Sequence, residues 1–195
     1  MKFKTIYLTG APAAGKSTLT KTIQDSLPEL EIWEYGARLT QYLSELHNIS
    51  LTQDELRSSS ATIVTPADIQ AVDGLLQDWV EGNRRSKHLL IDSHPVTKES
   101  YGFRITAFKM VEIERLAPDE LWMFYVPPEI AIQRIEHDNA GRPQIDIEQS
   151  RMHTMLQASV ISNYAIGIGR PVYMFDSNVP RDVLASALLK RFQKP

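Results

Sequence analysis

Residues 10–17 read Gly10-Ala11-Pro12-Ala13-Ala14-Gly15-Lys16-Ser17, the spacing G-x-x-x-x-G-K-[ST]. The stretch before it, Phe3–Thr9, carries apolar Ile6 and Leu8 and predicts a strand. The stretch after it predicts a helix to about Leu27, which Pro28 stops. A glycine-bounded turn between a strand and a helix aims its backbone N–H groups at anionic oxygens, and the helix dipole adds positive potential. Lys16 supplies a mobile charge suited to the β- and γ-phosphates of a nucleotide, and Ser17 a hydroxyl suited to Mg²⁺. Gly10, Ala13, Ala14, Gly15, Lys16, Ser17 and Thr18 are therefore the expected nucleotide-binding residues, with Ser17 also a metal ligand.

Working outward from this loop, helical and extended segments alternate to the end of the chain. That pattern predicts an α/β domain built on a parallel sheet. Further strands are expected at Leu30–Glu34, Lys87–Asp92, Leu121–Val126 and Pro171–Phe175. A helix over Gly36–His47 has Leu39, Tyr42, Leu43 and Leu46 on one face, and Thr52 with Glu55 reads as a capping box. Thr65, Pro66 and Asp68 signal a longer helix ending near Gly82-Asn83. Residues 36–85 thus exceed one crossover helix and read as a helical insertion. Later helices are expected at Thr106–Leu116, from Pro127-Pro128 to His137, from Asp146 to Ile166 with Gly167 and Gly169 ending it, and after Pro180. No repeat or low-complexity tract divides the chain, so residues 1–195 read as one domain.

Composition narrows the function classes. The chain has 195 residues, 21 basic and 24 acidic, and a net charge of −3. With no cysteine, a disulfide framework, thiol catalysis and Cys-ligated metal sites are excluded. The near-neutral balance argues against a nucleic-acid glove, though not against a local basic groove. No apolar run reaches the ~20 residues of a membrane span. The N-terminus lacks the features of a signal peptide, so a cytoplasmic location with no membrane partner is expected.

Beyond the loop, Asp92 closes an apolar strand. An acid there can hold a Mg²⁺-bound water, or simply cap the next segment. Arg134 and Arg142 flank a short polar turn. On spacing alone they read as solvated surface arginines, although paired guanidiniums suit phosphoryl transfer. Arg38, Lys98 and Arg104 lie near expected strand C-termini, where open α/β sheets bind ligands, and are either acceptor contacts or solvated charges. His94 reads as a structural hydrogen-bonding residue rather than a base. Tyr101, Phe103 and Phe108 suit either a nucleobase wall or the core. The five histidines show no zinc-ligand spacing. The guanine-reading N-K-x-D and an ABC-type signature are absent, as is the strand ending in two acids typical of many ATPase motors.

The chain resembles the archaeal-type adenylate kinases, within the P-loop nucleoside-monophosphate kinases, over nearly its whole length. The resemblance rests on the loop, on WEYGARL with Gly36, on Asp54-Glu55-Leu56-Arg57, and on Asp92-Ser93-His94. It continues through Ser100-Tyr101-Gly102-Phe103-Arg104, Leu116-Ala117-Pro118-Asp119, Arg134 with Asp138 and Arg142, and Gly169-Arg170-Pro171-Val172. It implies a five-stranded sheet of order 2-3-1-4-5, an acceptor nucleotide under the insertion, and a short lid at residues 134–145 over ATP. It further implies catalytic roles for Lys16, Arg134, Arg142 and Asp92, with Asp92 reaching the metal through water. Acceptor contacts would come from Gly36, Arg38, His94, Lys98 and Arg104. Three features depart from the family pattern: Pro12-Ala13 for Pro-Gly, Gln133-Arg134 for a doubled arginine, and a loosely fitting PVTKESYGFR segment. These bear on the acceptor more than on phosphoryl transfer. The expected reaction is Mg²⁺–ATP-dependent transfer to a nucleoside monophosphate, AMP foremost. The alternatives are another acceptor (a deoxynucleotide, a nucleic-acid end or a modified base) or an ATP-binding accessory protein that hydrolyses weakly. Oligomeric state is left open.

Overall fold

The computed structural model describes residues 2–53, 55–56, 63–137 and 145–193. Its element order is β1 Thr5–Gly10, α1 Lys16–Ser26, β2 Leu30–Glu34, α2 Tyr35–His47, α3 Pro66–Asn83, β3 His88–Asp92, β4 Val96–Glu99 and β5 Gly102–Ile105. Then follow α4 Met110–Leu116, β6 Glu120–Tyr125, α5 Pro128–Glu136, α6 Ile147–Ile168, β7 Val172–Asp176 and α7 Arg181–Gln193. Five parallel strands form one sheet in the order β2-β3-β1-β6-β7. This is the expected 2-3-1-4-5 arrangement, its last two strands renumbered because β4 and β5 form a separate antiparallel hairpin.

The three inner strands are apolar at their centres and buried almost end to end, because helices cover both of their faces. Side chains alternate between faces along β1. Ile6 and Leu8 join α1 and α7 in one core with Leu19, Ile23, Leu184 and Leu188. Tyr7 points to the other core, against Val72, Leu76 and Val80 of α3, Ile113 of α4 and Ile161 of α6. The helix starts obey the sequence signals. Thr65 caps α3 by accepting from the Asp68 amide, with Pro66 in the first turn. Asp146 caps α6 through Gln149. Thr52 and Glu55 make the reciprocal capping bonds expected of them.

Three expectations change. The helix expected from Thr106 begins at Met110. Residues 96–105, expected to be irregular, form the hairpin, with Val96 opposite Ile105 and Glu99 opposite Gly102. At the end of α6, Gly169 alone supplies the left-handed C-cap (φ 63°). Gly167 lies inside the helix, where an added Cβ would come within 2.6 Å of Met110 Sδ. Among the described residues no helix is long and apolar enough to cross a membrane.

Candidate functional site

The phosphate loop forms where β1 ends and α1 begins. Gly10 must be glycine, since a Cβ there would stand 2.5 Å from the Phe124 carbonyl oxygen of neighbouring β6. Gly15, the N-cap of α1, takes a left-handed φ of 72° and has no side chain to offer the helix amides. No acid sits in the first turn of α1. The positive end of α1 is therefore left for an external anion. Ala13 also adopts a left-handed φ, 60°, which is strained for a residue with a Cβ. Ser17 and Thr18 are exposed in the first turn, while Lys16 is buried and its Nζ donates to the Gly10 carbonyl at 2.9 Å.

Asp92 ends β3 beside the loop strand, in register with Leu8 of β1 and Glu34 of β2. It is buried, and its Oδ1 has no hydrogen-bond partner. Burial pushes the carboxyl up to about 6, the Lys16 charge pulls it down, and Glu34 adds to the rise. His94 Nδ1 is 3.6 Å from Asp92 Oδ1, too long for a hydrogen bond. A buried carboxylate oxygen without a donor, together with the Ser17 hydroxyl, is the hard-oxygen donor chemistry that suits Mg²⁺ with bound waters. Among the described residues no group of three or more His, Asp or Glu could form a protein-only metal cage.

Arg134, on α5, reaches the loop from outside. Its Nη1 donates to the Ala13 carbonyl at 3.0 Å and its Nη2 to the Ser177 carbonyl at 3.4 Å. The Ser177 hydroxyl lies 2.8 Å from the Ala14 carbonyl and 3.0 Å from that of Tyr125, donating its one hydrogen between them. These contacts engage the Ala13 and Ala14 carbonyls of the loop from α5 and from the residue just past β7. Nothing in the sequence marked Ser177, because it acts on backbone rather than within a motif. Arg142 and Asp138 lie outside the described residues, as do most of the expected lid and Asp54 and Arg57 of the D-E-x-R segment.

The expected acceptor residues follow β2 and β3 in the chain. Gly36 is exposed near the start of α2, and an added Cβ there would meet nothing. Arg38 is exposed, its guanidinium 5.0 Å from the centre of the Trp33 ring. In the hairpin Lys98 stands opposite Phe103, and Arg104 opposite Thr97. Lys98 Nζ donates to the Glu99 carbonyl at 2.6 Å and sits 5.7 Å from the Phe103 ring centre, while Arg104 pairs with the Glu99 carboxylate at 2.9 Å. Phe103 and Phe108 pack on the core, and Tyr101 is 70 % exposed.

Three polar groups of this region carry no sequence signature. Thr9 Oγ1 donates to Gln157 Oε1 at 2.9 Å. His153 Nε2 lies 3.1 Å from the Val96 carbonyl. Between α2 and α3, the Tyr35 hydroxyl donates to Asp73 Oδ1 at 2.7 Å, and burial raises Asp73 to about 6 although that bond lowers it.

A family model described as AAA domain matches residues 9–151, from the end of β1 into α6. Among solved structures, shikimate kinase from Acinetobacter baumannii in complex with shikimate superposes with a TM-score of 0.54 at 13% identity, covering 98% of this chain and 93% of that one. A sugar kinase from Janibacter sp. superposes with a TM-score of 0.51 at 14% identity, covering 96% and 93%. At such identities the likeness is one of fold, and that fold is the P-loop kinase fold. No curated protein matches the chain.

Proposed function

Because this chain belongs to the AAA domain family, whose model spans residues 9–151, we propose that it is a P-loop phosphotransferase that uses Mg²⁺–ATP. One observation carries this reading. The uncapped N-terminus of α1 and the Lys16 ammonium lie beside a buried carboxylate oxygen of Asp92 that has no hydrogen-bond partner, on the adjacent strand. An anion site next to a hard-oxygen cation site is what phosphoryl transfer requires, and these groups support that reading.

In this reading the loop amides and Lys16 hold the β- and γ-phosphates, with Lys16 exchanging its Gly10 carbonyl for phosphate oxygen. Ser17 directly, and Asp92 through water, would hold Mg²⁺, which would offset the negative charge of the phosphates. Arg134 fixes the loop in its binding shape through the Ala13 carbonyl and is placed to meet phosphoryl oxygens if it leaves that bond. Arg142 is its proposed partner from the lid at residues 134–145. The protein's work is positioning and charge neutralisation, since an anionic acceptor needs no base.

The acceptor we propose is a nucleoside monophosphate, AMP foremost, bound beneath the 36–85 insertion by residues drawn from Gly36, Arg38, His94, Lys98 and Arg104. The run of adenylate-kinase-like motifs from WEYGARL to Asp92-Ser93-His94 supports this. The hairpin favours keeping a second reading, another acceptor such as a deoxynucleotide or a nucleic-acid end. There Lys98 and Arg104 are already engaged by Glu99, on the segment that fits the family least. A coupled assay over the nucleoside monophosphates, with single-stranded DNA and RNA as further acceptors, separates the two. Hydrolysis that ignores every acceptor would instead indicate an ATP-hydrolysing accessory protein. Lys16→Ala should lower transfer by about a hundredfold or more while the protein stays folded. Equal activity in that variant would remove the assignment.

A further inference from the structure

Helix α6 carries two polar side chains one turn apart that are almost wholly buried, His153 (3 % exposed) and Gln157 (1 %). Their spacing puts both on one face of the helix. Each grips a different part of the site. Gln157 accepts from Thr9, the residue before the loop's first glycine. His153 meets the carbonyl of Val96, the first residue of the strand that carries Lys98.

The state of the histidine follows from its partner. A carbonyl only accepts, so Nε2 carries the hydrogen and Nδ1 of the neutral ring is a bare acceptor. That Nδ1 is sealed from solvent without a hydrogen-bond partner, which costs free energy an apolar side chain would not. The ring's gain therefore lies at its other nitrogen, in the bond to the hairpin. Burial, and then the Lys16 and Lys98 charges, push its pKa down to about 4 against the Val96 bond, so the ring stays neutral. Phe103 packs edge-on to His153 with centres 5.2 Å apart, and the same Phe103 ring receives the Lys98 ammonium.

We propose that His153 is a positioning residue that, with Gln157, ties the β4–β5 hairpin to the phosphate loop through α6 and so sets where Lys98 meets an anionic acceptor. The acceptor's identity rests on the phosphotransferase reading, whereas the tie itself does not. His153→Leu removes the donor, and His153→Gln keeps an amide N–H near the place of Nε2.

With AMP as acceptor, the leucine variant should raise the acceptor KM about tenfold, leave kcat and the ATP KM within about threefold, and recover with glutamine. Gln157→Leu unties the other end and should raise the ATP KM instead. Amide hydrogen exchange over residues 96–105 should quicken in His153→Leu and return to the wild-type rate in His153→Gln. If the leucine variant does not fold, the Gln157→Leu shift decides. A lowered melting temperature with both KM values and hairpin exchange unmoved would overturn the proposal, as would glutamine failing to restore slow exchange in a folded variant. A wild-type protein that transfers nothing to AMP would count against the phosphotransferase reading, and hydrogen exchange would still test the tie.

Discussion

At Asp92 the fold holds a carboxylate that burial raises to about 6, above its ordinary 3.8. A raised carboxyl pKa in the folded state means the native protein binds the proton more tightly than the unfolded chain. Asp92 therefore lowers stability as pH rises from below 4 through about 6. Asp92→Asn should match wild type at pH 3.5 and be more stable at pH 7, by about 2–3 kcal/mol at most. It should also lose Mg²⁺-dependent transfer. A variant less stable than wild type at pH 7 would contradict this account of the site. Backbone geometry at the loop makes a second contrast. Gly10→Ala forces a Cβ against a strand carbonyl and should cost about 3 kcal/mol. Ala13→Gly relieves a left-handed alanine and should leave stability unchanged or raise it by about 1 kcal/mol. Thermal melts of the two variants check the pair. The loop residues were legible in the sequence because their chemistry is local: spacing, glycine conformations and one lysine suffice. The burial of Asp92 and its lack of a donor were not, since both depend on what β2, β1 and Lys16 bring around the end of β3.

At the scale of elements, the loop is held by groups that arrive from far along the chain. Arg134 of α5 and Ser177, just past β7, bind the Ala13 and Ala14 carbonyls. Ser177→Ala keeps its backbone bond to Tyr125 but releases the Ala14 carbonyl. The expected result is an ATP KM raised about three- to tenfold with a stability loss of about 1 kcal/mol, read by titration of ATP and by melting. Helix boundaries marked by Thr65-Pro66 and by Asp146 were readable because a cap is a contact within one turn. The β4–β5 hairpin was not. Its strands are only four residues each, and Lys98, Glu99 and Arg104 break the apolar alternation that would announce them. The sequence reading extended the helix before β6 back to Thr106, yet Thr106 donates its amide to the Pro95 carbonyl and so closes the hairpin rather than opening a helix.

Across the whole molecule, the alternation of elements pointed to an α/β domain on a parallel sheet, whereas the strand order was legible only through the resemblance of the motifs to the adenylate kinases. The two cores on either side of the sheet follow from the alternation of Ile6 and Leu8 against Tyr7. The contacts of His153, Gln157 and Asp73 were hidden for the opposite reason, as polar residues inside helices gain meaning only from partners on other elements. The molecule as a whole presents a glycine-bounded loop at an uncapped helix N-terminus, a buried carboxylate at the end of β3 and a hairpin carrying Lys98 and Arg104. The central claim is that this arrangement moves a phosphoryl group from Mg²⁺–ATP to a nucleoside monophosphate. The direct measurement is ADP formation by the purified protein with Mg²⁺–ATP, with and without each nucleoside monophosphate, beside the Lys16→Ala variant. The account predicts turnover that requires a monophosphate, AMP foremost, and that disappears in the variant. Turnover indifferent to every monophosphate, or undiminished in Lys16→Ala, would contradict it.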